Sequence, residues 1–263
     1  MSTDADRTID ALQSGHDDLA RLVPTLTPEQ LTNPSGASEW DVSQVLGHLG
    51  SGAVITKAGL DGILSGTGNP APDFNQGVWH RWNAMTPQER ADGFLAADEA
   101  LLAVYHGIDD QTRDSLRTDL GFLPEPVGLA VAAGFRLNEF TLHSWDARVA
   151  FDPAATLRPE ATALLLDRVA FLLGWIGKPA ALDGSSGTLL VRLNDPEREF
   201  GLQLGEGVSL VPAPAQPDGV LTAPAEAWLR LATGRLSAEH TPLPVEVTGD
   251  IDLATLRRVF PGF

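Results

Sequence analysis

The sequence predicts an α+β protein, with an N-terminal four-helix bundle over residues 1–155 and a smaller C-terminal α/β domain over 156–263. Three observations predict it. Up to residue 155, apolar residues recur every three or four positions over long stretches, the period of a helix with one buried face. Helix-start signatures punctuate those stretches. Beyond Leu157 the apolar period drops to two in short runs, the mark of strands. A chain of 263 residues is long for one core and comfortable for two.

Taken in order, Ile9, Leu12, Leu19, Leu22 and Val23 mark a first helix from Arg7 to Val23. Thr27-Pro28-Glu29-Gln30 reads as a capping box that opens a short turn. After a loop from Asn33 to Glu39, Asp41 is placed to cap a second helix whose stripe is Val42, Val45, Leu46 and Leu49, with His48 about two turns in. Ser65 to Gln76 is dense in Gly, Pro, Asn and Asp and reads as a loop, followed by an aromatic stretch, Val78 to Trp82, whose structure the pattern does not define. Thr86-Pro87-Gln88-Glu89 opens a third helix, carried on by Phe94, Leu95, Leu101, Leu102 and Tyr105. A fourth runs from Val127 to Phe151, closed by Asp152-Pro153. Four long helices joined by loops suggest an antiparallel bundle.

In the second half, a helix from Glu160 to Trp175 precedes strand-like runs at Thr188 to Leu193, Phe200 to Leu204, Val208 to Val211 and Val220 to Thr222. Pro224-Ala225-Glu226 opens a helix through Leu231, Val245 to Val247 reads as a strand, and Leu253 to Phe260 as a last helix.

Composition narrows the function classes. A net charge of −17 repels nucleic-acid phosphates and anionic headgroups, so neither nucleic acid nor a membrane surface is an expected partner, and a small molecule is. The polar start MSTDADRTIDALQ lacks the form of a secretory signal, and the apolar run from Ala161 to Ile176 is broken by Asp167 and Arg168; a cytoplasmic protein is expected. With no cysteine, the protein owns no thiol nucleophile, thiolate ligand or disulfide. Gly66-Thr67-Gly68 does not complete a dinucleotide fingerprint, and neither a P-loop nor a Gly-x-Ser-x-Gly elbow occurs.

Glu139 and His143, four apart in a helix, share a face and can bind one ion together. His48 can supply a third ligand from a facing helix, leaving open positions as catalytic metals do. On periodicity alone, a core histidine bonded to a backbone carbonyl is the better reading of His48. The surrounding wording reverses that preference. Trp40-Asp41-Val42, Leu46-Gly47-His48-Leu49 and Glu139-Phe140-Thr141-Leu142-His143-Ser144-Trp145-Asp146 resemble, in order, the motifs of the mycothiol-dependent maleylpyruvate isomerase family, within the DinB-like superfamily.

That resemblance implies a DinB-like metal-binding bundle and a sterol-carrier-like C-terminal domain. It implies a divalent metal, usually zinc, on His48, Glu139 and His143. It also implies a mycothiol-type co-substrate thiol that adds to a small electrophilic acid, with isomerisation or thiol transfer as the outcome. Ala227 to Arg235 is similar to the family's helix ending in Gly-Arg, which makes Arg235 the candidate for an active-site guanidinium gripping a substrate carboxylate; a helix-terminal Arg favoured by the dipole is the even alternative. A non-catalytic, metal-carrying, small-ligand-binding protein is the alternative from another class. Asp146 reads by default as a surface partner of Arg148, or else as an acceptor for a ligand histidine. His80 reads as a packing residue, while His16, His106 and His240 sit in polar settings without signal.

Overall fold

Thr3 opens the first helix, α1 (Asp4–Leu22), by a reciprocal cap: its Oγ1 accepts from the Asp6 amide while the Asp6 carboxylate accepts from the Thr3 amide. The computed structural model describes residues 3–262, and the chain divides into two units, Met1–Asp152 and Pro153–Phe263. In the first unit follow α2 (Val42–Leu64), α3 (Phe74–Asn83), α4 (Pro87–Gly107), α5 (Asp110–Ser115), a two-stranded antiparallel ribbon β1 (Arg117–Thr118) with β2 (Val127–Gly128), and α6 (Leu129–Arg148).

The predicted caps form as read. Asp41 and Gln44 cap α2 reciprocally, and Thr86 and Glu89 do the same for α4, with Pro87 at the first helical position where no amide donor is needed. The Thr27 and Gln30 pair closes over a single 3-10 turn, Gln30–Thr32.

Helices α1, α2, α4 and α6 form a closed ring: α2 packs on α4 and α6, and α1 packs on the same two. Leu19, Leu46, Leu49, Phe94 and Phe140, drawn from all four helices, are each at most 1% exposed, and the two Phe ring centroids lie 6.3 Å apart. Burial of such side chains contributes about 1.5–3 kcal/mol apiece.

Two stretches differ from the sequence reading. The loop ends at Asp73 rather than Gln76, and the aromatic stretch is helical (α3) because Val78 and Trp82, four apart, both turn inward while Trp79 stays half exposed. The fourth long helix starts at Leu129, since Val127 and Gly128 pair with Thr118 and Arg117.

In the second unit, α7 (Pro159–Ile176) precedes a five-stranded sheet in the order β5-β4-β3-β6-β7, built from β3 (Gly187–Asn194), β4 (Arg198–Leu204), β5 (Val208–Val211), β6 (Gly219–Pro224) and β7 (Glu246–Gly249). Only the β3/β6 pair is parallel. Helix α8 (Ala225–Ala232) packs on β3, β6 and α7. Its fully buried Trp228 meets Phe200 and also Phe260, just past α9 (Leu253–Val259), with ring centroids 5.5 and 6.2 Å away. The whole is the α+β arrangement predicted. Among the described residues, no helix is long and apolar enough to cross a membrane.

Candidate metal centre

Helix α2 carries His48 two turns beyond its Asp41 cap, and α6 carries Glu139 and His143 one turn apart. Because α2 and α6 are neighbours in the ring, the three side chains converge. His48 Nε2 lies 3.2 Å and His143 Nε2 3.8 Å from the same oxygen, Glu139 Oε2. All three ligand atoms fall within 4.8 Å of one another. Atoms about 2.0–2.2 Å from a common tetrahedral ion stand roughly 3.4 Å apart, so two imidazoles and a carboxylate in this geometry fit a zinc-like ion. Among the described residues, this is the one group of three or more His, Asp or Glu side chains so arranged.

Electrostatics favour a ligating state. Burial acts to raise the Glu139 carboxyl, but the hydrogen bond with His48 and the charges of His143, His48 and Arg136 outweigh it and hold the group below the usual carboxylate range. Glu139 is therefore ionised at neutral pH and accepts, never donates, at the centre.

His143 is oriented from behind. Its Nδ1 donates to Asp146 Oδ2 at 2.8 Å, leaving the Nε2 lone pair directed away from Asp146. Asp146 is fully buried, so its default reading as a surface residue is corrected: one turn beyond His143, it falls on the core side of α6. Trp40, just ahead of the α2 cap, lies tilted against both imidazoles, with centroids 5.1 Å from His48 and 5.7 Å from His143. Sequence reasoning quoted Trp40 as part of a motif and assigned it no contact.

Arg235 lies in the second unit, just past α8. Gly234, at φ 74°, ends that helix in a left-handed turn, with the Gly234 amide bonded to Leu231 O and the Arg235 amide to Arg230 O. A Cβ at Gly234 would lie 2.3 Å from Gly262 N, so glycine is required both by the backbone and by the close approach. Arg235 is buried, and its Nη1 donates to Thr233 O.

The remaining histidines divide. His80 is exposed on α3 and does not pack, because the inward positions there go to Val78 and Trp82. His106 is exposed beside Gln13, and His240 is half-buried near Glu239. His16 has a polar setting but a buried one, and it does carry a signal: its Nδ1 bonds Asp98 Oδ2 at 2.9 Å. Asp98 Oδ1 in turn accepts from buried Arg136 at 2.7 Å. Arg136 stands three residues before Glu139, a helical spacing that was there to be read.

The family model described as the mycothiol maleylpyruvate isomerase N-terminal domain matches residues 12–148, just over half the chain. Two uncharacterized proteins of Mycobacterium tuberculosis, from two strains, are each 27% identical over 172 residues, which cover 64% of this chain and 78% of theirs. The crystal structure of the mycothiol-dependent maleylpyruvate isomerase has a TM-score of 0.67 at 14% identity, covering 94% of this chain and 96% of that one. A histidine-to-alanine variant of that isomerase gives 0.64 at 13% identity over the same shares. At such identities the structural likeness speaks for the fold.

Proposed function

Since the chain belongs to the mycothiol maleylpyruvate isomerase N-terminal domain family, we propose that it is a metal-dependent enzyme that uses a mycothiol-type thiol on a small electrophilic organic acid. The observation that carries this reading is the convergence of His48, Glu139 and His143 on one point, with His143 held in a fixed orientation by Asp146. A divalent ion bound there, zinc by donor type, would lower the pKa of a co-substrate thiol and present it as thiolate at neutral pH.

The chain's own residues have the other tasks. His48, Glu139 and His143 hold the ion through two neutral donors and one charge, leaving a net positive centre for a thiolate. Trp40 packs its indole against the two imidazoles and limits their movement. Asp146 keeps the His143 Nδ1 proton in place. The Gly234-Arg235 ending offers Arg235 as a candidate for the carboxylate grip, since a planar fork of donors suits a carboxylate, with a helix-end role as its even alternative. Isomerisation follows if the thiol leaves after bond rotation, and S-transfer if it stays. The reading places the protein with low-molecular-weight thiols in the cytoplasm, without nucleic acid or membrane partners.

The test pairs metal analysis of protein purified without chelators with a thiol-consumption assay against electrophilic acids. Stoichiometric metal and turnover that disappears on chelation and returns with zinc support the reading. Metal-free protein that turns over equally well would end it, and a protein that binds small acids without turnover with any thiol would be the non-catalytic binder instead.

A further inference from the structure

Beside the metal centre lies a cavity of about 700 Å³, within the range of small-molecule sites and several times what a short organic acid fills. One wall is a single face of α2: His48, Ser51, Gly52, Ile55, Gly59 and Leu60 recur at helical spacing. The facing wall is α6, where Ala132, Phe135, Arg136 and Glu139 recur likewise. His48 and Glu139 are the ends of these two rows, so the cavity leads along both helices to the metal centre. Ile55, Leu60, Tyr105, Phe122 and Phe135 make the lining mainly apolar, and Phe122 packs edge-on to Phe135 while remaining 63% exposed.

Two polar side chains in this lining are more than nine-tenths buried and incompletely satisfied. Thr118 Oγ1 has no hydrogen-bond partner, nor has Arg136 Nε. Arg136 spends only Nη2, on Asp98 and on Leu49 O. Its Nη1 lies against Gly52, where a Cβ would come within 2.9 Å, so the glycine leaves room for the guanidinium at the cavity wall. Asp98 does not cancel the Arg136 charge alone, since its other oxygen is shared with His16. Thr118 Oγ1 and Arg136 Nε have no accessible surface, so the Arg136 group left for a ligand is Nη1, which makes no hydrogen bond among the described residues and stands beside Gly52 in the cavity wall.

Resting on the thiol-transfer reading above, we propose that this cavity holds the electrophile, and that the electrophile is an organic monoanion with an aromatic or branched-alkyl body and its acid group on Arg136. The apolar walls take the body, and with the acid group on Arg136 the Arg235 guanidinium keeps its alternative role at the helix end. Because Arg136 and Glu139 are one helical turn apart, about 5–6 Å between Cβ atoms, an acid group on Arg136 sets the adjoining carbons of the ligand beside the metal centre.

Calorimetric titration of the purified full chain with cinnamate, cinnamamide and maleate tests this, with bound metal measured in parallel. Cinnamate should bind at least about tenfold more tightly than either the uncharged amide or the short dicarboxylate. Gly59→Trp fills the cavity from a position where an added Cβ meets open space, so folding is spared. It should weaken cinnamate by about tenfold or more and leave metal content unchanged. Arg136→Met should remove the preference for cinnamate over cinnamamide; should that variant not fold, Gly59→Trp and the three-ligand comparison decide. No measurable cinnamate binding, equal affinity for maleate, or indifference to Gly59→Trp would overturn the proposal. Cinnamate binding in this pattern by a protein without metal would leave the cavity assignment standing and remove the metal reading instead.

Discussion

Asp146 Oδ2 sits 2.8 Å from His143 Nδ1, and Asp146 has no exposed surface at all. A carboxylate buried this completely behind a candidate metal ligand fixes the tautomer and the ring orientation of that ligand. Asp146→Asn should therefore weaken metal binding by about 10–100-fold without unfolding the bundle. Competition with a chelator of known affinity measures it, and an unchanged affinity would show that the pair is structural only.

His143→Ala removes one of three donors and should leave less than stoichiometric metal after dialysis, while far-ultraviolet circular dichroism stays that of the parent. Elemental analysis reads the result. Full metal content in this variant would refute the proposed ligand set.

If the bound ion ligates a co-substrate thiol, the thiol should ionise at a lower pH in the complex than free in solution. Thiolate absorbance followed across pH with zinc-loaded protein reports this directly. An unshifted curve would count against sulfur ligation.

If Arg235 is the carboxylate grip, Arg235→Lys, which keeps the charge and loses the fork, should lower kcat/KM almost as much as Arg235→Ala, on the order of tenfold or more, with metal content intact. Parent-like turnover in both variants would reduce Arg235 to a helix-end residue. Gly234→Ala separates the backbone role of this turn from the guanidinium. Forcing a Cβ into a left-handed residue and against Gly262 should cost about 1–2 kcal/mol or more in urea unfolding.

His16 gives the fold a pH dependence. Its hydrogen bond to Asp98 raises the imidazole above its ordinary 6.5, against the opposing effect of burial. A raised folded-state value means stability that is complete below about 6.5 and is lost as pH rises through the folded-state value. Urea midpoints should thus decline across that interval in the parent and run flatter in His16→Gln. Parallel declines in the two proteins would assign the dependence to another group.

Much of this molecule is local and was legible in order along the chain. The caps at Asp41 and Thr86 name their own partners three residues on, and the period of apolar residues separates the bundle from the sheet, because both are set by contacts within one or two turns of backbone. Glu139 and His143 share a face for the same reason. What lay beyond reach depends on which faces meet. The burial of Asp146, the pairing of His16 with Asp98 across 82 positions, and the contact of Trp40 with both imidazoles arise only when the helices close into a ring. So does the cavity, which exists because α2 and α6 present small residues such as Gly52, Gly59 and Ala132 to one another where larger ones would have met. Sequence spacing determines which side chains share a face of one helix, whereas the faces of two helices are brought together by packing free energy summed over the whole core, a quantity that no single stretch of sequence contains.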